Sequence, residues 1–292
     1  MPELPEVETV RRGLAPHIEG RRIAALELNR ADLRFPFPEN FAAKMQGATL
    51  THFGRRAKYL LASLEKHGET FYWLSHLGMT GRFMLDRPDA ARLEPGDYAH
   101  EVAAPVAAKH IHMRLHFEDG THLSYADPRR FGFMDCFSGA PQDNKFLSNL
   151  GPEPLGNQFD LPVLLNACAA RKSPIKNVLL DQSVVAGLGN IYVCEALFDA
   201  RISPRRLAAN TGPKRLARLL PAIRQVLQRA IAAGGSSLRD FADSDGKLGY
   251  FQHQFWVYDR EGAPCSRPDC DATIRRIVQA GRSSFYCPSC QK

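Results

Sequence analysis

The chain has 292 residues, enough for two domains each with its own core, and 44% of them are hydrophobic, an ordinary globular value. No apolar run approaches the length of a membrane span, and the opening MPELPEVETV lacks the lysines and long apolar run of a leader, so a soluble protein is expected. The net charge of +7 and a sequence pI near 9.1 point to a polyanionic partner.

Residues 5–18 read as a helix. Pro5 suits its first turn, Val7, Val10, Leu14 and Ile18 share one face, and the early glutamates complement the helix dipole. From about 21 to 137 the pattern turns to short β-rich segments: RRIAALEL, THFGRRAKYLLASL, ETFYWLSHLG, GRFMLD, HIHMRLHF, THLSYAD and GFMDCF. Many short strands with one helix predict a β-sandwich or barrel. Within it, residues 86–109 have no clean period and read as a long surface loop. The Gly-, Pro- and Asn-rich run that follows reads as a hinge.

Beyond the hinge the sequence is helical: LPVLLNACAAR, SPIKNVLLDQ, NIYVCEALFDA and KRLARLLPAIRQVLQRAIAA. SVVAGLG joins two of these, as a helix-turn-helix or as a plain helical hairpin. Asn190 falls near the second helix's N-terminus, where backbone donors favour an anion. Between Arg201 and Arg229 there are eight Lys/Arg and no acid, which reads as a solvated helix face or, slightly favoured, as a nucleic-acid contact. FQHQFWVYDR and SSFYC look strand-like.

Three sets of residues carry chemistry. Cys265-x4-Cys270 and Cys287-x2-Cys290, sixteen residues apart, are two short-spaced pairs able to converge on one tetrahedral ion. Four thiolates leave no open position, so a structural zinc site is expected. Cys136, Cys168 and Cys194 read as buried free thiols. At the other end, Met1 is followed by a small residue and its removal would expose Pro2 as a secondary amine, partly unprotonated near neutrality and able to attack a sugar C1′. Glu3 beside it is placed to move the proton that ring opening needs. On local pattern the alternative is a rigid N-terminal cap. The third set lies at turn punctuation: Lys58 in RRAKYL, His76 and Met79 in HLGMTGRF, His110 in KHIH, and Arg129 and Phe131 in DPRRFGF. Arg, Met and Phe at loop tips suit wedging into a base stack and filling the gap left by an extruded nucleotide; singly, each is more often packing.

All three sets occur together, and the chain resembles the bacterial formamidopyrimidine-DNA glycosylase family end to end. The matching words are PELPEVET, RRAKYLL, HLGMTGRF, DPRRFG, LGPEPL, KSPIKNVLLDQSVVAGLGNIYVCEALF, SDGKLGYF and the four-cysteine finger. The resemblance implies an α+β, two-lobed fold: an N-terminal β-sandwich with an N-terminal helix (1–137), a hinge (138–150), a helix–two-turn–helix domain (151–250) and a zinc-finger β-hairpin (251–292). It implies Pro2 as the nucleophile, Glu3 as the proton donor to the opening deoxyribose, Glu6 ordering the terminus, and Lys58 and Arg282 assisting β- and δ-elimination. Met79, Arg129 and Phe131 would fill the void, with Arg129 facing the orphaned cytosine. His76, His110, Lys172, Lys176 and Asn190 would contact DNA, and SDGKLGYF would lie in a loop over the flipped base. One structural Zn2+ on Cys265, Cys270, Cys287 and Cys290, damaged duplex DNA as partner, a monomeric state and a bacterial cytoplasmic, nucleoid-associated location complete the expectation. The 86–109 loop looks longer than the family's usual one. The nearest alternatives are the sister endonuclease VIII type, which removes oxidised pyrimidines, and a non-catalytic zinc-ribbon DNA binder. PELPEVET and SDGKLGYF favour the purine enzyme over the former, and the intact Pro2-Glu3 pair argues against the latter.

Overall fold

A computed structural model describes residues 2–94, 106–236 and 251–292. The chain divides into two compact units, residues 1–148 with 231–251, and residues 149–230 with 252–292.

The first unit begins with α1 (Leu4–Ile18). Its face of Val7, Val10, Leu14 and Ile18 is fully buried, as the 3.6-residue spacing requires. Then come β1 (Ile23–Leu28), the short α2 (Phe41–Met45), β2 (Thr49–Arg56), β3 (Tyr59–Lys66), β4 (Glu69–His76), β5 (Arg82–Arg87), β6 (Ala90–Leu93), β7 (Ile111–Phe117), β8 (His122–Ala126) and β9 (Phe133–Ser138). Two antiparallel sheets form, ordered β1-β7-β8-β5-β6 and β2-β3-β4-β9. Along β3, Leu60, Ala62 and Leu64 are buried while Tyr59, Leu61 and Ser63 are half-buried, the period of two that one core face dictates. Leu26, Phe83, Leu85, Met113, Leu115 and Leu123 of the other sheet join them, with Trp73 and the α1 face, in one core. The result is a β-sandwich carrying an N-terminal helix.

Two expectations change here. THFGRRAKYLLASL is not one strand but the hairpin β2–β3, reversed at Ala57, whose φ of +53° is left-handed. The segment starting at Asp86 is not all loop, because Ala90–Leu93 pairs back on β5. Residues 95–105 of it lie outside the described residues, as does most of the SDGKLGYF segment.

The second unit holds α3 (Leu161–Cys168), α4 (Ile175–Leu180), α5 (Asn190–Asp199), α6 (Gly212–Ala232, its last two residues in the first unit), and a terminal hairpin of β10 (Arg275–Gln279) and β11 (Arg282–Tyr286). α3 is capped by Asp160, whose side chain accepts the Val163 N–H. FQHQFWVYDR is not a strand. Glu195, fully buried on α5, accepts the N–H groups of Trp256, Val257 and Tyr258 at 2.8–3.0 Å, so those donors go to a carboxylate instead of a ladder. Burial pushes the Glu195 carboxyl above its usual range, and the three N–H bonds and the Arg229 charge act against that rise.

The basic run also divides. Arg224 donates to the carbonyls of Pro154, Gly156 and Phe159, Arg206 to those of Lys292 and Asn210, and Arg229 lies over the Trp256 ring at 4.3 Å. Arg201, Arg205, Lys214 and Arg218 remain exposed. Among the described residues no helix is long and apolar enough to cross a membrane.

Candidate active site and metal centre

The N-terminus is packed into the first unit. Pro2 is buried, Glu3 and Glu6 are 3% and 2% exposed, and the two glutamates form the capping box of α1. Glu6 Oε2 accepts the Glu3 N–H at 2.8 Å. Its Oε1 accepts both the N–H and the hydroxyl of Ser236, each at 2.8 Å. Glu8, two residues on, receives Arg11, Arg12 and Arg55 at 2.8–3.1 Å. Burial alone would raise its pKa, but the hydrogen bonds and charges of these arginines outweigh that and hold it at about 2.

Lys58 is the second residue of the β2–β3 turn and is buried, which is unusual for a lysine at a hairpin tip. The β3–β4 register sets Tyr59 opposite His76, bringing the Lys58 charge near the imidazole. Desolvation first, and then the charges of Lys58 and Arg34, push His76 down to about 4. Its Nδ1 accepts the Gly78 N–H at 3.0 Å and its ring stacks on Phe133 at 5.3 Å. His76 is therefore neutral at physiological pH and offers an N–H donor at Nε2, not a cation.

Met79, half-buried, follows in the loop after β4; Arg129 and Phe131 lie exposed in the loop after β8, with the guanidinium 4.8 Å from the Phe131 ring centre. These two loops touch through glycine. A Cβ on Gly78 would sit 2.3 Å from the Gly132 nitrogen, and one on Gly132 would sit 2.8 Å from the His76 carbonyl oxygen, so neither position tolerates a side chain. Asp127, fully buried, joins the loops: it accepts the Thr80 hydroxyl and the Gly132 N–H, while its own N–H donates to the carbonyl of His110, a half-buried residue in a 3-10 turn. Lys58, His76, Met79, His110, Arg129 and Phe131 thus share one unit with Pro2, Glu3 and Glu6. Asp127 and Thr80 were not singled out from the sequence, although both lie inside the quoted DPRRFG and HLGMTGRF words.

In the second unit Lys172 and Arg282 are exposed. Arg282 opens β11 beside a two-residue turn, Ala280-Gly281, with φ of +46° and +73°. Lys176 lies differently. It is 0% exposed, and its ammonium donates to the Ser283 carbonyl at 2.9 Å and the Ser284 hydroxyl at 2.6 Å, so the charge holds β11. Asn190, at the first turn of α5, donates to the same Ser283 carbonyl at 2.9 Å.

Cys265, Cys270, Cys287 and Cys290 bring their sulfurs within 4.8 Å of one another. The Cys265–Cys290 and Cys270–Cys287 pairs stand 3.9 and 3.6 Å apart. A tetrahedral Zn–S4 centre with bonds near 2.3 Å requires sulfur separations of about 3.8 Å, so the donor set fits zinc with no position left for water. The site is structural. It is backed by a small core of Cys194, Phe198, Val257, Ile274 and Phe285.

Family models match along the chain: the formamidopyrimidine-DNA glycosylase N-terminal domain over residues 1–134, its H2TH domain over 150–242, and a zinc finger found in FPG and IleRS over 262–292. Proteins named formamidopyrimidine-DNA glycosylase from Ruegeria pomeroyi and Jannaschia sp. are each 54% identical over the whole of both chains. Solved structures of Lactococcus lactis Fpg with abasic-site DNA and of a variant with Fapy-dG containing DNA are 36% identical, cover 99% and 100% of both chains, and superpose with a TM-score of 0.84. The chain belongs to the formamidopyrimidine-DNA glycosylase family.

Proposed function

We propose that the protein is a bifunctional DNA glycosylase and AP lyase of base-excision repair, removing oxidised purines such as 8-oxoguanine and formamidopyrimidines from duplex DNA. The observation that carries this reading is the buried Pro2-Glu3 pair, whose backbone is fastened through the Glu6 carboxylate. The capping box explains the Glu6–Glu3 bond, but not the burial of Pro2 nor the two Ser236 donors that Glu6 also takes.

With Met1 removed, the Pro2 nitrogen uses its lone pair to form a bond to C1′ as the bond from C1′ to the damaged base breaks, the electrons leaving with the base. The ammonium so formed gives its N–H proton to the departing base, and as Glu3 protonates the ring oxygen and the deoxyribose opens, the freed nitrogen lone pair forms the iminium on Pro2. Loss of a C2′ proton expels the 3′ phosphate, and a second elimination expels the 5′ phosphate, with Lys58 and Arg282 stabilising the departing anions. Met79, Arg129 and Phe131 occupy the gap left by the flipped nucleotide. His76, His110, Lys172 and Asn190 contact the phosphates, His76 as a neutral donor. Zinc, when bound, orders the hairpin that carries Arg282. The protein acts as a monomer on nucleoid DNA in the bacterial cytoplasm.

Borohydride reduction with abasic-site DNA tests the reaction. A covalent adduct is expected, lost in Pro2→Gly or behind an uncleaved N-terminal tag while DNA binding persists. No adduct with the wild type sinks the proposal. Preferential excision of thymine glycol over 8-oxoguanine opposite cytosine would instead assign the chain to oxidised pyrimidines.

A further inference from the structure

We propose that Thr80 is a positioning residue that sets the void-filling side chains Met79, Arg129 and Phe131 relative to one another, an inference that rests on the glycosylase reading above. Its hydroxyl donates to Asp127 Oδ1 at 2.5 Å, and its oxygen accepts the Arg129 N–H at 3.2 Å. Donation to the carboxylate fixes the direction of the hydroxyl hydrogen and turns a lone pair toward Arg129. One side chain therefore joins the residue next to Met79 to the residue two before Phe131.

The loop it holds would not keep this shape unaided. Arg130, between Arg129 and Phe131, has φ +56°, a left-handed conformation unfavourable for a residue with a Cβ. Phe131 is 44% exposed, so little of its own burial anchors it. The restraint comes from Asp127, 0% exposed, whose Oδ2 takes the Gly132 N–H at 2.8 Å and whose carbonyl takes the Arg130 N–H at 3.2 Å. Asp127 fixes both ends of the turn, and the Thr80 hydroxyl carries that restraint across to the Met79 loop and to the Arg129 backbone. Valine keeps the shape but loses both hydrogen bonds and leaves the buried Asp127 Oδ1 short of a donor, so some stability is lost whatever the role. Positioning of the wedge is separated from folding by opposite-base preference, which a folding defect alone leaves unchanged.

The test compares Thr80→Val with Thr80→Ser in the full zinc-loaded chain. Single-turnover excision of 8-oxoguanine is measured opposite cytosine and opposite adenine, beside borohydride trapping on a single-stranded abasic site, which has no opposite base to read. Thr80→Val is expected to lower excision opposite cytosine about tenfold, the worth of one buried hydrogen bond. It is also expected to narrow the preference for cytosine over adenine and to lower the melting temperature by a few degrees, with trapping held at a temperature where both proteins are folded and Thr80→Ser restoring both rate and preference. Wild-type excision and preference in Thr80→Val would overturn the role. So would an equal loss of excision opposite both bases together with loss of trapping, which would mark Thr80 as a folding residue. If the wild type itself fails to trap, the enzyme assignment falls and the Thr80 role with it.

Discussion

Glu6 and Ser236, 230 positions apart in sequence, are joined by two hydrogen bonds to a single carboxylate oxygen, while the other oxygen holds the Glu3 N–H. Three donors face one carboxylate, so an amide in its place must turn an NH2 toward at least one of them. Glu6→Gln is expected to slow single-turnover trapping about tenfold and to lower stability by about 1–3 kcal/mol. Trapping at the wild-type rate would mean that Glu6 does not set the N-terminus.

Lys176 separates a structural cation from a phosphate contact. Lys176→Met removes two charge-assisted hydrogen bonds that hold Ser283 and Ser284, and should cost about 1.5–3 kcal/mol of stability, read by denaturant unfolding. The slope of log affinity against log salt should stay as in the wild type. A phosphate-gripping lysine would instead lower that slope by about one and leave stability alone.

Zinc removal should act through the hairpin. Cys287→Ser removes a ligand that also accepts the Cys290 N–H and anchors the finger core, so bound zinc should fall from one per chain to near zero. DNA affinity and δ-elimination should weaken with it, while borohydride trapping by Pro2 on a short single-stranded abasic substrate persists. Elemental analysis beside a binding titration checks this, and unchanged affinity in zinc-free protein would refute it.

The Glu8 cluster predicts a pH dependence with a definite sign. Its folded-state value of about 2 lies below the ordinary 4.5, so the stabilisation is complete above about pH 4.5 and is lost as pH falls through about 2. The shift corresponds to roughly 3 kcal/mol. Glu8→Gln should therefore lower unfolding free energy near pH 6 by an amount of that order, and the two proteins should converge as acid is added. A difference that stays constant from pH 6 to pH 3 would show that the arginines stabilise the carboxylate no more than the amide.

Much of this molecule was legible in its sequence. The α1 face, most strands and all four metal ligands follow from spacing alone, because periodicity and short Cys pairs are local signals. What escaped is what tertiary context decides. Lys176 and Lys172 look alike in KSPIK, yet one is fully buried and the other exposed, and nothing within five residues says that Ser283 and Ser284 will face the first. FQHQFWVYDR has the composition of a strand, and only a glutamate some sixty positions earlier takes its donors. That glutamate did leave a trace, as the one acid inside the apolar NIYVCEALF. Ala57 hid a hairpin because a left-handed turn residue is ordinarily glycine or asparagine.

The arginines that cap carbonyls in the second unit bear on how fast this protein finds its target. Arg206 and Arg224 direct their donors at backbone oxygens, and Arg229 lies over an indole. They add to the formal +7 while these donors are engaged within the protein. Their contribution is a diffuse attraction that accelerates the first encounter and fades within a Debye length of about 8 Å at physiological salt. Neutralising them would slow association more than it would shorten the lifetime of a complex already formed, so a count of cations overstates the grip while giving the approach its due.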